Sequence, residues 1–154
     1  MKRILSGLLV SVLMVGGALA EEGKTYSVNQ VTDASADTPA HMFRFEPDLL
    51  NVQLGSTVKF DNFHGNHTVI SIRKMTPEGG PMFKFSKMSA DRTVTFDRPG
   101  IYGVTCGIHG RFGMAMVIKV GEDSDADLQS ARAVVPGGRM GAKISKLLDQ
   151  LEAK

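Results

Sequence analysis

Short runs in which apolar and polar residues alternate, each closed by a glycine, proline or acidic turn, recur along most of this chain. Thr25 to Val31, Met42 to Phe45, Leu49 to Leu54, Thr57 to Phe60, Thr68 to Ile72, Thr93 to Phe96, Ile101 to Cys106 and Met114 to Val120 follow this pattern and are rich in Val, Ile, Phe and Thr, so they are predicted strands. Glu46-Pro47-Asp48, Leu54-Gly55-Ser56, the stretch from Pro77 to Pro81 and Arg98-Pro99-Gly100 supply the breaks. About eight strands at this spacing predict an all-β fold, a β-sandwich. The period changes after Gly121. Ser124 with Asp127 three positions on reads as a helix start, running to about Val134, and Pro136-Gly137-Gly138 stops it. A second helix then places Met140, Ile144, Leu147, Leu148 and Leu151 on one face, which needs an apolar surface to cover. The expectation is a sandwich over residues 21–121 with a helical hairpin, 122–154, packed on it as part of the same domain.

The N-terminus follows a different pattern. Lys2 and Arg3 precede an apolar run from Ile4 to Val15, and Ala18-Leu19-Ala20 closes it, the layout of a secretory signal peptide cleaved after residue 20. The run is too short and too broken for a membrane span, which wants about 18 or more apolar residues. This predicts an exported chain, in the periplasm, with no membrane attachment once the signal is removed. Loss of Lys2 and Arg3 lowers the 18 basic residues to 16, against 16 acidic ones, so the mature chain is near neutral. No basic run or basic amphipathic helix is present, which argues against nucleic acid as a partner.

Export sharpens the meaning of the one cysteine. In an oxidising compartment an unpaired thiol is a liability unless it is buried, shared between chains or bound to something. Cys106 stands in CGIHGRFGM, with His109 three positions on and Met114 five beyond that, between two predicted strands. One turn at an end of the sandwich can therefore aim a thiolate, an imidazole and a thioether at a common point. Soft sulfur ligands suit Cu(I) and imidazole suits both oxidation states of copper, and a His2Cys site with a weak axial Met is the blue-copper arrangement. The spacing C-x2-H-x4-M is a weak signal by itself, because a lone cysteine is more often a small buried hydrophobe. The second histidine must come from elsewhere. His67 opens a predicted strand, His64 lies in the Asn62 to Asn66 loop, and His41 lies in a polar approach to a strand; position favours His67 without excluding the others. Met116 is the near rival of Met114.

From Phe45 to Gly121 the chain resembles the cupredoxin family, and within it the pseudoazurin branch: FEPDLLNVQLGSTVKF, His67, SIRKMTPEGGPMFK and FDRPGIYGVTCGIHGRFGMAMVIKVG carry the likeness, with two helices after the last strand. The resemblance implies a Greek-key β-sandwich and one type 1 copper held by His67, Cys106, His109 and Met114. It implies one-electron transfer in place of enzymatic turnover, by a monomer. The exit would run through the His109 ring edge and a docking patch of Ile108, Phe112 and Phe43, with Lys84 at its rim. Plausible partners by resemblance are periplasmic redox proteins such as nitrite reductase and c-type cytochromes. The chain also departs from the family pattern. Thr68 stands where the family usually has Asn, which ties the ligand loops together, and Gly107-Ile108 stands where it often has Thr-Pro. Gln30, Gly65 and Thr105 fall where ring lysines are expected, with Arg111, Arg44 and Arg73 as possible replacements, and the loop from Asp33 to Met42 is long.

Two other classes compete. A periplasmic copper carrier or storage protein would use the same soft ligands with an exchangeable metal, but the nine methionines are scattered. A hydrolytic zinc enzyme wants a nearby carboxylate base, and no acidic residue lies between Asp97 and Glu122.

Overall fold

The computed structural model describes residues 23–122 and 125–152. The signal predicted over 1–20 and the helix start at Ser124 lie outside the described residues. Among the described residues nine strands form two sheets. Strands β1 (Thr25–Thr32), β2 (Phe43–Glu46), β4 (Thr57–Asp61) and β7 (Thr93–Thr95) make a sheet in the order β2-β1-β4-β7. The second sheet has the order β3-β9-β8-β5-β6, from β3 (Leu49–Val52), β9 (Ala115–Val120), β8 (Gly100–Thr105), β5 (Val69–Ser71) and β6 (Lys84–Phe85). Strand pairs β1/β4 and β3/β9 are parallel and the other pairs antiparallel. The eight predicted strands are all present, with ends displaced by up to two residues. The ninth, β6, escapes sequence reading because two residues cannot display a period.

Side-chain parity explains how the sheets build the site. Along β8 and β9, Tyr102, Val104, Met116, Ile118 and Val120 face the sandwich core with Val28, Phe45, Val58, Phe60 and Phe96. The same parity continued one step past each strand sends Cys106 and Met114 inward as well, and both are fully buried in that core. The opposite parity puts Ile101, Ala115 and Val117 on the outer face of this sheet. That face would be wet without the C-terminal helices. Helices α2 (Asp125–Ala133) and α3 (Gly138–Glu152) cover it, with Leu128, Ala131, Ile144, Leu147 and Leu148 buried against it and Met140 and Leu151 packed at the edge. Burying each of the large aliphatic side chains contributes about 1.5–3 kcal/mol. Coverage on both sides is why β8 and β9 read as nearly continuous apolar runs.

The long loop after β1 is partly ordered by a single turn of helix, α1 (Pro39–Met42), capped by the Thr38 hydroxyl, which accepts from the His41 N–H. Arg44 ties this loop to the sheet, pairing with Asp33 at 3.5 Å and Glu46 at 2.6 Å.

Candidate metal centre

Three donors converge at the end of the sandwich where β8 gives way to β9. His67 Nδ1, Cys106 Sγ and His109 Nδ1 lie within 4.8 Å of one another, and this is the one cluster of metal-ligating side chains among the described residues. The sulfur is 3.9 Å from His67 Nδ1 and 3.7 Å from His109 Nδ1, and the two nitrogens are 3.1 Å apart. Donors bonded to one ion at roughly 2.0–2.3 Å stand on the order of 3–4 Å apart, so the spacing fits a shared metal. His67 and Cys106 are fully buried. His41, paired with Asp37 at 2.8 Å, and exposed His64 stay outside the cluster.

The backbone fixes the ligand turn. The Cys106 N–H donates to the Met114 carbonyl at 3.1 Å, the Gly110 N–H donates to the Cys106 carbonyl at 2.7 Å, and the Met114 N–H donates to the His109 carbonyl at 3.3 Å. Gly113, at φ 101, closes the short 3-10 turn Gly110–Phe112 in a conformation that side-chain-bearing residues rarely adopt. Met114 is therefore locked by its main chain to both Cys106 and His109. Met116, one step along the same face, pairs opposite Val104 inside the regular ladder.

His67 is held from three sides. Its Nε2 lies 2.8 Å from the Thr32 hydroxyl, and with that nitrogen carrying the proton the Nδ1 lone pair faces the other donors. Asn62 accepts from the His67 N–H and donates to its carbonyl, both at 3.2 Å. Burial, followed by the charges of His64, Arg92 and Lys87, holds the His67 imidazole down at about 4. Burial also lowers the His109 imidazole, against an opposing pull from Cys106. For Cys106, burial pushes the thiol up, but hydrogen bonding from the backbone of Thr68, His109 and Ile108 and from the Thr68 hydroxyl brings it below its ordinary value. Both imidazoles and the thiol are thus biased toward the forms that bind metal.

A pH dependence follows for the metal-free protein. The unfolded chain takes up a proton at His67 near its ordinary value of 6.5, while the folded chain resists protonation until about 4. Stability is therefore complete above about 6.5 and is lost as the pH falls through this window, by roughly 3 kcal/mol from this residue. Chemical denaturation of the metal-free protein at pH 7 and pH 4.5 checks it; a His67→Gln variant should lose most of the difference.

Thr68, in the position expected to tie the ligand loops, does so. Its hydroxyl accepts from the Gly107 N–H at 2.8 Å and lies 3.7 Å from Cys106 Sγ. The tie is shorter than an amide would make, and Gly107 permits it: a Cβ there would stand 2.7 Å from Ile70 Cδ1 and 3.2 Å from the Thr68 hydroxyl.

A family profile described as copper binding proteins, plastocyanin/azurin family, matches residues 32–121. A putative pseudoazurin of Rhizobium leguminosarum bv. viciae is 32% identical over 135 residues, which cover 84% of this chain and 83% of the relative. The chain belongs to the pseudoazurin branch of the cupredoxins. A pseudoazurin of Methylorubrum extorquens is 29% identical over 114 residues, 74% of this chain and 76% of that one. Among solved structures, pseudoazurin from Methylobacterium extorquens AM1 superposes with a TM-score of 0.70 at 26% identity, covering 82% of this chain and 98% of its own. The cofactor of this branch is copper, and the thiolate and imidazole donors gathered here suit it.

Of the residues expected at the docking patch, the aromatic ones come together. The Phe43 ring stacks flat on His109, with centroids 3.9 Å apart and planes 4° from parallel, and Phe112 stacks on Phe43 at 5.7 Å. Arg111 lies over Phe112, 4.7 Å from its centroid. Ile108 is half-buried against the core. Lys84 is exposed on the edge strand β6, opposite Ile70, and is not part of the stack. One expectation about the lysine ring is corrected. Gln30 is fully buried and donates to the Thr68 carbonyl at 3.0 Å, because its position on β1 faces the ligand-bearing segment and not solvent. Its identity therefore says nothing about surface charge. Thr32, Asn62 and Arg92, which position His67, gave no recognisable signal in the sequence.

Proposed function

We propose that this protein is a periplasmic electron carrier in which His67, Cys106 and His109 are the strong ligands of one type 1 copper and Met114 is the weak fourth. The observation that carries this reading is the convergence of buried Cys106 Sγ with the Nδ1 atoms of buried His67 and half-buried His109. Copper supplies the one-electron couple; the chain supplies a rigid cradle. Cys106, His109 and Met114 are cross-linked by main-chain hydrogen bonds and His67 by Asn62 and Thr32, so the donors have little freedom to move when the charge of the site changes. The half-buried His109 ring, stacked between the interior and Phe43, offers the route outward.

In this reading residues 1–20 are the export signal, 21–121 the copper-binding sandwich and 122–154 a hairpin completing its outer face. The exchange partners are periplasmic redox proteins, copper- or haem-containing reductases such as nitrite reductase and c-type cytochromes, meeting a monomer at the Phe43, Ile108 and Phe112 patch. Small apolar contacts with charge at the rim suit such brief encounters. Exposed Met82 and Met88 are the features a copper carrier would use, but two of the three clustered donors, His67 and Cys106, are fully buried and the third is half-buried, which favours retention over exchange.

The ligand assignment is tested at the two methionines. Met114→Leu should keep copper bound and raise its potential, because a weak donor that favours Cu(II) is lost, while Met116→Leu should leave spectrum and potential near those of the parent. The reverse pattern in voltammetry and visible spectra overturns the assignment. Retention of copper against a chelator by the parent separates a carrier of electrons from a carrier of metal.

A further inference from the structure

Arg92 is the one Lys, Arg, Asp or Glu among the described residues that is buried, with 7% of its surface exposed. It stands one residue ahead of β7. Its Nη1 donates to the Ser86 carbonyl at 2.6 Å. Nη2 donates to Gln30 Oε1 and lies 3.5 Å from the His67 carbonyl. Its Nε finds no partner. No carboxylate pairs with it among the described residues. Burying a guanidinium without a counter-ion is costly, and leaving one of its N–H groups unsatisfied adds to the cost. Stability alone gives no reason for such an arrangement.

The surroundings give one. Gln30, itself fully buried, takes the guanidinium on its Oε1 and donates its Nε2 to the Thr68 carbonyl at 3.0 Å. Arg92 and Gln30 together therefore brace two consecutive carbonyls, those of His67 and Thr68, on the segment that carries one donor and the tie to the cysteine loop. Burial pushes the guanidinium below its ordinary value, and the Cys106 thiolate opposes that push.

We infer that Arg92 is a positioning residue and a fixed buried cation beside the copper site, bracing the His67–Thr68 backbone through Gln30 and favouring the reduced state of the site. The inference rests on the electron-carrier reading. When one electron enters from a donor protein, a site of neutral imidazoles, a thioether and a cysteinate drops by one unit of positive charge, and the same electron leaves to the acceptor with no bond made or broken. A nearby cation destabilises the more positive, oxidised form. The guanidinium lies 3.5 Å from the carbonyl of a ligand residue, and a unit charge acting over about 10 Å at an effective dielectric of about 20 shifts an equilibrium on the order of tenfold.

The test uses the mature, copper-loaded protein and three variants, Arg92→Gln, Arg92→Lys and Gln30→Glu, each measured for midpoint potential and visible spectrum, with thermal unfolding of the metal-free forms as a check on the fold. Arg92→Gln should keep the colour and lower the potential by about 59 mV, the one-electron equivalent of a tenfold shift. Arg92→Lys should retain most of the parent potential. Gln30→Glu, which sets a carboxylate against the guanidinium without removing it, should lower the potential as Arg92→Gln does, and it decides the matter if Arg92→Gln does not fold. Coloured Arg92→Gln and Gln30→Glu proteins with the parent's potential overturn the inference, as does an Arg92→Lys protein shifted as far as Arg92→Gln. A parent that forms no coloured copper complex overturns the electron-carrier reading itself and this inference with it.

Discussion

Replacing Cys106 with serine should leave a folded protein that stays colourless when Cu(II) is added. The intense absorption of a blue-copper site needs a thiolate bonded to the metal, and a serine hydroxyl, which stays protonated near neutral pH, offers neither the charge nor the softness. Cys106 is fully buried at the end of β8, and its main chain makes the hydrogen bonds to Met114 and Gly110 that close the ligand turn. Those bonds survive the substitution, so the cost to the metal-free fold is confined to burying a hydroxyl in place of a thiol, about 1–3 kcal/mol. The checks are the visible spectrum with one equivalent of Cu(II) and the unfolding temperature of the metal-free form. A Cys106→Ser protein that still colours would place the site elsewhere.

Introducing charge at the aromatic face should have the second large effect. Phe112→Asp is expected to slow electron exchange with the native partner at least about tenfold, since a central aromatic anchor at such an interface contributes on the order of 2 kcal/mol or more. Phe112 is not one of the clustered donors, and its ring centroid stands 6.5 Å from that of His109, so the visible spectrum should be unchanged. Lys84→Ala should slow exchange less, because Lys84 stands apart on the edge strand. The basic residues that could substitute for it are partly committed: Arg44 is paired with Asp33 and Glu46, and Arg111 is spread over Phe112. Exposed Arg139 and Lys146 remain beside Phe112, but apolar contact at the centre is expected to outweigh them, so the exchange rate should depend only modestly on salt. Stopped-flow rates for both variants across a salt series settle it; a steep salt dependence, with Lys84→Ala the slower variant, would show that basic side chains steer the encounter.

The parts of this molecule that could be read from the chain are those in which neighbours in sequence are neighbours in space. Cys106, His109 and Met114 share one turn, and strand parity on either side of it sends both sulfurs inward, so spacing alone brought them together. The second histidine was different. His67 is 39 positions from Cys106, and position favoured it without deciding; the family resemblance decided it, and the geometry now brings it to the cysteine. The apolar face of α3 was legible for the same local reason, through residues recurring along one side of a helix. The network behind His67 was not. Arg92 reaches Gln30 across 62 positions and Thr32 reaches His67 across 35, and a lone arginine, glutamine or threonine carries no mark of such pairing. Gln30 was misread because the resemblance placed it in the lysine ring, whereas strand parity sets it on the inner face with Val28, against a buried cation.

The central claim is that His67, Cys106, His109 and Met114 hold one copper as an electron-carrying centre, and the most direct measurement is a titration of the mature protein with Cu(II) followed by visible absorption. The account predicts intense blue or green colour that saturates at one copper per chain, bleaches on addition of one electron equivalent and returns on reoxidation. A colourless complex whose copper passes readily to a chelator would contradict it.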